Sequence, residues 1–492
     1  MSSKVMRSFA LALVCAVVIG VAATAATART ESIPTAVTGS TAPIASGLFD
    51  TLFNSPQKST AFAMTAATGA TYARVTVSWR GIAPTNLPSS NWTLADQANP
   101  DSPYYKWSGL DATVSAAVAN GVTPILQIVL TPKWAYHVQP GTVSGGQPDV
   151  AMLGAFAKAV ARRYDGSGPA PAVHAFSVWN EPNFNRNISP QDPVYYRYMV
   201  NAVADSVHSV DSSNLALAGE LAPYKHAKTK TDPNSVIPPM TWMQQMLCVS
   251  ATTPAHLTCP DHSSRFDVWT HHPYSDKGPF GHASVAGGVE LGDLPKMNTL
   301  LKTAISLGAI QSAETPKFWV TELGWSTNPP NKHGAPIKLV TRWVSESFWQ
   351  MWKSGVTLGT WYLLQDEPTS FSPFQSGMYL NSADVSTAVA KSTLVPFTFP
   401  FVAYRKSTGK VMLWGREPGT SQVVSIQRKV NGVWKTLGTI TANSNGIFSA
   451  TLQLHALSTW QLRASTGSAS SATFSLTVPL NENMNVVPFP NN

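Results

Sequence analysis

The chain has 492 residues, 12% of them charged and 43% hydrophobic, with a formal net charge of +8. That length exceeds one ordinary domain and leaves room for a large core plus a second module. The charge is spread thinly, with no Lys/Arg cluster interleaved with aromatics, which argues against a nucleic-acid partner.

Residues 1–28 carry Lys4 and Arg7, then an apolar stretch, then small residues ending in Ala26-Thr27-Ala28, the pattern of a secretory signal peptide. The apolar part is short for a membrane span; an uncleaved anchor is the alternative. Cys15 lacks the small preceding residue of a lipoprotein signal. A secreted, extracellular chain with no membrane insertion after cleavage is expected, most simply a monomer, and residues 29–41 should be flexible. Cleavage would leave Cys248 and Cys259, which in an exported protein are expected to form one disulfide, two unpaired buried cysteines being the alternative. No cofactor is implied, and no metal site: His271 and His272 are adjacent and on a strand would face opposite sides.

Apolar runs recur at intervals of roughly 40 to 50 residues, each followed by a helix-like stretch, as βα units require. Eight are recognisable: 44–49, 71–79, 122–130, a run ending at Glu181, 215–220, 266–274, a run ending at Glu322, and 359–364. Between the third and fourth, residues 149–164 place Leu153, Phe156, Val160 and Tyr164 on one helical face behind Asp149 as N-cap. These runs lack polar alternation, so the strands should be buried on both faces in a parallel sheet. The fold class is therefore α/β: a (β/α)8 TIM barrel over 42–396. Beyond about Phe401 the pattern changes to short alternating segments separated by turn pairs, including Asn431-Gly432 and Asn445-Gly446, which favour tight hairpins. A small C-terminal antiparallel β-sandwich over 401–480 is expected, with a flexible tail over 481–492.

Three of the runs end on carboxylates, Glu220 among them, and two of the three carry the acid in a distinctive context. FSVWNEPN (176–183) delivers Asn180 and Glu181, and KFWVTELGWS (317–326) delivers Glu322. A carboxylate at the end of so apolar a strand is costly to bury unless it opens into a cleft, and in a parallel barrel that cleft lies at the C-terminal rim. Two carboxyl groups in different environments suit glycosidic cleavage, one protonating the leaving oxygen and the other attacking the anomeric carbon. Several of the 16 Trp fall at proposed strand ends, where flat rings could stack on sugar C–H faces.

The order and context of these segments resemble clan A retaining glycoside hydrolases, nearest in look to the β-xylosidase, exopolysaccharide-hydrolase and cellulase-like families. That resemblance implies an O-glycosyl hydrolase acting on an oligo- or polysaccharide, most simply β-linked, with Glu181 as acid/base and Glu322 as nucleophile. It also implies that His272 and Tyr274 line the cleft, Tyr274 bonding the nucleophile, and that Trp361 is the floor under the sugar. Arg74, amid apolar neighbours in the second run, needs an anion, either Glu322 or a structural acid. Trp79 and Trp134 are candidate subsite walls or plain core residues. Glu220, Asp366 and Glu367 lack a matching context and are assigned to the rim or to subsites; runs one and five carry no recognisable motif. Trp414, Trp434 and Trp460 could make the sandwich a carbohydrate-binding module. A non-catalytic glycan-binding cell-surface protein on a barrel scaffold is the alternative to an enzyme.

Overall fold

The computed structural model describes residues 42–477 apart from 90, 143, 224–231, 233, 260–262, 369–373, 408 and 421. The expected signal peptide, the segment 29–41 and the tail 481–492 lie outside the described residues. Among the described residues no helix is long and apolar enough to cross a membrane.

Eight parallel strands close into a barrel: β1 (Ala45–Phe49), β2 (Tyr72–Ser78), β3 (Thr123–Val129), β4 (Ala175–Val178), β5 (Leu215–Leu221), β6 (Val268–His271), β7 (Lys317–Val320) and β8 (Leu358–Tyr362). Each falls within or against one of the eight expected runs. The register fixes which side chains enter the barrel, because the strand period is two. Ile125, Ala175, Leu217, Val268, Trp319 and Leu358 form a closed apolar cluster at the N-terminal end of the interior. Two residues further along, the inward positions turn polar: Gln127, Ser177, Thr270, Thr321 and Thr360, all buried. One more step gives Val129, Trp179, His272 and Tyr362, and the same count along β1 and β2 reaches Phe49 and Thr76. The interior is thus an apolar base, a polar middle and an open mouth.

Helices cover the outside, among them α1 (Lys58–Ala67), α2 (Ser108–Ala119), α3 (Val150–Arg163), α4 (Pro193–His208), α5 (Pro239–Leu247), α6 (Leu294–Ser306) and α7 (Ile337–Lys353). In α3 the Asp149 carboxylate accepts from Met152 N at 2.9 Å, and Leu153, Phe156 and Val160 are buried, as the pattern predicted. Cys248 and Cys259 form a disulfide across a Cα–Cα distance of 5.4 Å, next to the C-terminal end of α5.

After Phe399 the chain builds two antiparallel sheets. One holds β9 (Phe401–Ser407), β10 (Lys410–Arg416) and β13 (Ile447–Gln453); the other holds β11 (Val423–Val430), β12 (Val433–Thr441), β14 (Gln461–Ser465) and β15 (Phe474–Ser475). Asn431 and Gly432, at φ 48° and 82°, close the two-residue hairpin between β11 and β12, as their sequence requires. Asn445-Gly446 does not close a hairpin: β12 and β13 lie in different sheets, so that turn carries the chain across the sandwich. The sandwich is docked on α7. Arg416 donates to Ile44 O at 2.9 Å and Phe397 O at 3.2 Å, Phe401 N donates to Ser345 Oγ at 3.1 Å, and Tyr404 OH bonds Glu346. The buried apolar core runs through both units without a break.

Candidate active site

The mouth of the barrel opens into a cavity of about 540 Å³, lined among others by Phe49, Arg74, Thr76, Val129, Trp179, Asn180, Glu322 and Tyr362. Its floor is a network of charged groups. Arg74, on β2, donates from Nη2 to Glu322 Oε2 at 2.5 Å and from Nη1 to Glu220 Oε2 at 2.9 Å. Tyr274 OH donates to the other Glu322 oxygen at 2.9 Å. The His272 ring joins the acids: Nε2 lies 2.8 Å from Glu220 Oε2, and Nδ1 lies 3.1 Å from Glu181 Oε1 and 3.4 Å from Glu322 Oε2. Asn180 Oδ1 accepts from Arg74 at 3.3 Å and from Gln127 at 3.2 Å, which fixes the orientation of that amide.

The three carboxylates differ in environment. Glu181 and Glu322 keep 19% and 13% of their side-chain surface exposed, whereas Glu220 is fully buried. Burial pushes the Glu220 carboxyl up, but the His272 hydrogen bond and the Arg74 guanidinium outweigh it and hold the group down to about 2. Ser177 Oγ and Thr321 Oγ1 add donors at 2.7 and 3.1 Å. Burial of His272 disfavours its charge, but Glu322, Glu181 and Glu220 together raise it to about 9, so the ring is an imidazolium at neutral pH and both nitrogens donate. Tyr274 is pushed well above its usual range by burial and the neighbouring Glu322 charge, which keeps it a neutral donor.

Backbone conformation concentrates here as well. Leu130, Trp179, Glu181 and Glu220, at the ends of β3, β4 and β5, have φ of 66°, 71°, 43° and 50°. Non-glycine residues in this region cost about 1 kcal/mol or more each and persist where the surroundings over-determine them. At β5 the cause is a bulge: the pairing with β6 slips by one residue between Ala218 and Leu221. Gly219, at φ 111°, allows it, since a Cβ there would lie 2.2 Å from Thr270 O. The extra residue turns Glu220 into the barrel and Leu221 out of it.

The sequence matches no protein-family profile and no curated protein. Among solved structures, it is similar to a family 39 glycoside hydrolase from the gut symbiont Bacteroides cellulosilyticus WH2, at 14% identity and a TM-score of 0.51, covering 84% of this chain and 81% of that chain. The likeness is one of fold. Weaker matches include a GH39 β-xylosidase from Caulobacter crescentus (15% identity, 80% of this chain, 84% of that chain, TM-score 0.46). Another is a GH30 endoxylanase from Clostridium papyrosolvens C71 (13% identity, 86% and 97%, TM-score 0.44).

The geometry brings together Glu181, Glu322, Arg74, Asn180, His272 and Tyr274, and Arg74 serves both of its expected partner types at once. Three tryptophans stand elsewhere. Trp361 is an outward position of β8, 2% exposed, with its indole on Ser376 O at 2.7 Å and its ring 5.7 Å from Trp325. Its neighbour Tyr362 faces inward and lines the cavity, stacked on Phe49 at 5.5 Å. Trp79 is fully buried between strand and helix, stacked on Phe156 at 5.3 Å, and Trp134 packs edge-on against Trp79 and Trp92. Both are packing residues outside the cavity lining; Phe49, Tyr136, Trp179 and Tyr362 are the aromatics there.

His271 faces outward, fully buried, with Nε2 2.8 Å from Val289 O, and burial lowers it to about 3. Glu220 belongs to the floor of the site rather than its rim. Asp366 is an internal counter-ion of Lys391, at 2.8 Å. The first strand also contributes Asp50, which accepts from Leu52, Leu364 and Gln365 N at 2.8, 3.0 and 3.1 Å and ties the ends of β1 and β8 together. In the sandwich Trp414 is fully buried, while Trp460 and Trp434 lie under Arg428 and Arg463 at 3.5 and 4.4 Å. Among the described residues no cluster of His, Cys, Asp or Glu is arranged to hold a metal ion.

Proposed function

We propose that the protein is a secreted retaining O-glycoside hydrolase acting on a glycan, with Glu322 as nucleophile and Glu181 as acid/base. The observation that carries the reading is the distance relation of the two acids. Glu181 Oε1 and Glu322 Oε2 flank a single nitrogen, His272 Nδ1, at 3.1 and 3.4 Å. The sum of those distances bounds their separation, and it reaches only the lower edge of the roughly 6.5–9.5 Å span that an inverting pair needs to admit water, while covering the roughly 5–5.5 Å of a retaining pair.

In the first step Glu322 Oε attacks the anomeric carbon as Glu181 protonates the departing oxygen, giving a covalent glycosyl ester. Glu181, now a carboxylate, then removes a proton from water, which displaces Glu322 with net retention. Arg74 and Tyr274 each donate to one of the two nucleophile oxygens and so hold the group aimed. His272 orients Glu181 while its charge is balanced by Glu220. Export is supported by residues 1–28 and by the disulfide. Replacement of Glu322 by Ala is expected to abolish turnover, with azide restoring partial activity as a glycosyl azide. Full activity in Glu322→Ala, or inversion seen by NMR in the parent, refutes the assignment; binding of glycans without released reducing sugar would favour a binder instead.

A further inference from the structure

Resting on the reading of the cleft as a glycan site, we infer that the flank of the cavity beside β2 and β4 selects a sugar unit bearing a carboxylate, held between Arg80 and Arg186. Both line the same cavity as Arg74 and Glu322. Three guanidinium groups therefore face this space against one lining carboxylate, and that carboxylate is already taken, because Arg74 bonds Glu322 and Glu220.

The two remaining cations are not neutralised from within. Among the described residues no carboxylate lies within ion-pair distance of either, and no hydrogen bond engages the Arg80 guanidinium. Arg186 donates to Asn234 Oδ1 at 2.8 Å, an uncharged acceptor, and lies 5.9 Å over Phe184. Their backbones are tied down, Arg80 N to Leu130 O at 2.8 Å and the neighbouring Asn185 N and Asn187 N to Ser235 O and Phe184 O at 2.9 Å. Both side chains are exposed on the same cavity, and a neutral sugar offers them hydroxyl acceptors but brings no opposite charge. A carboxylate does, since the guanidinium fork matches it in charge and in two-point geometry. The cavity falls in the range of small-molecule sites, about 300–1,000 Å³, so an acidic ring can occupy this flank while a neighbouring ring meets the catalytic pair.

The test uses the full chain and a panel of polyuronates (polygalacturonate, polyglucuronate, alginate), each paired with its carboxyl-reduced neutral derivative. Binding is measured by calorimetry and cleavage by released reducing ends. At least one carboxylated member is expected to bind about tenfold or more tighter than its reduced partner, as charge-assisted hydrogen bonds allow. That preference should weaken as salt is raised and vanish in Arg80→Gln/Arg186→Gln, whose melting temperature stays at the parent value. Absence of any carboxylate preference, its survival in the double variant, or equal binding of dextran sulfate overturns the inference. Carboxylate-dependent binding without cleavage upholds the subsite and defeats the hydrolase reading; cleavage of reduced and carboxylated glycans at equal rates does the reverse.

Discussion

Glu220→Gln is the sharpest probe of how the site is built, because it keeps the shape of a fully buried side chain and removes only its charge. In the parent, the carboxyl is held from its ordinary 4.5 down to about 2. At about 1.4 kcal/mol per unit, that difference corresponds to roughly 3 kcal/mol of stability at neutral pH. Breaking a buried ion pair costs about 3–5 kcal/mol by direct measurement in other proteins, which agrees in size. The variant leaves Arg74, His272, Ser177 and Thr321 all donating toward one neutral amide. The sign with pH follows. A depressed carboxyl contributes stability that is present above about 4.5 and lost as pH falls toward about 2; a raised histidine contributes stability that is present below about 6.5 and lost as pH rises through about 9. In Glu220→Gln the Glu220 share of the acid limb disappears and His272, whose Nε2 partner is now uncharged, titrates lower, so the alkaline limb moves to lower pH. Urea unfolding from pH 3 to 9, with the His272 imidazole followed by 15N NMR, reads both. A variant within about 1 kcal/mol of the parent throughout, with His272 titrating unchanged, would refute the claim that Glu220 sets the charge state of the site.

Other expectations follow from the same contacts. Trp361→Ala should cost about 3–5 kcal/mol in urea unfolding, as a truncated core aromatic does, whereas Tyr362→Ala should lower kcat/KM about tenfold through one lost ring contact; the opposite pattern would reverse the inward and outward assignment. Replacing Cys248 and Cys259 by Ser removes the cross-link of an 11-residue separation and should cost about 2–3 kcal/mol on the loop-entropy estimate, read as a lower urea midpoint. Arg416→Ala leaves the carbonyls of Ile44 and Phe397 without their buried donor, so barrel and sandwich should lose stability together in one calorimetric transition; two separated transitions in the parent would contradict the continuous core.

The barrel was legible because a parallel strand covered on both faces has no polar alternation, and eight such runs separated by helical stretches admit few other closures. Strand ends were less so. In the sequence the apolar runs continue to Glu181, Glu322 and Tyr274, yet the ladders stop at Val178, Val320 and His271. The residues beyond are the ones that build the charge network at the cavity, so the ladder gives out where the site begins. The turn at Asn445-Gly446 has hairpin chemistry but joins two sheets: local propensity sets the bend, whereas the partner of the next strand is chosen by long-range pairing.

The candidate site was legible where a polar residue interrupts an apolar run and illegible where parity alone decides. Arg74, Glu181, His272 and Glu322 each stand out against their neighbours. Trp361 and Tyr362 do not, since both are large aromatics on one strand and a shift of one residue exchanges core for cavity. That choice is fixed only by Leu358 at the apolar base of the barrel, two steps below Thr360 and four below Tyr362. The same counting explains Glu220. Strict alternation from Leu215 and Leu217 would aim Gly219 inward and leave the acid facing the helices; the bulge reverses this, and its signal in the sequence is a single glycine before a carboxylate in an otherwise apolar strand. A glycine that only a bulge requires, next to an acid that only a buried cation can hold, locates the base of the charge network more firmly than either residue does alone.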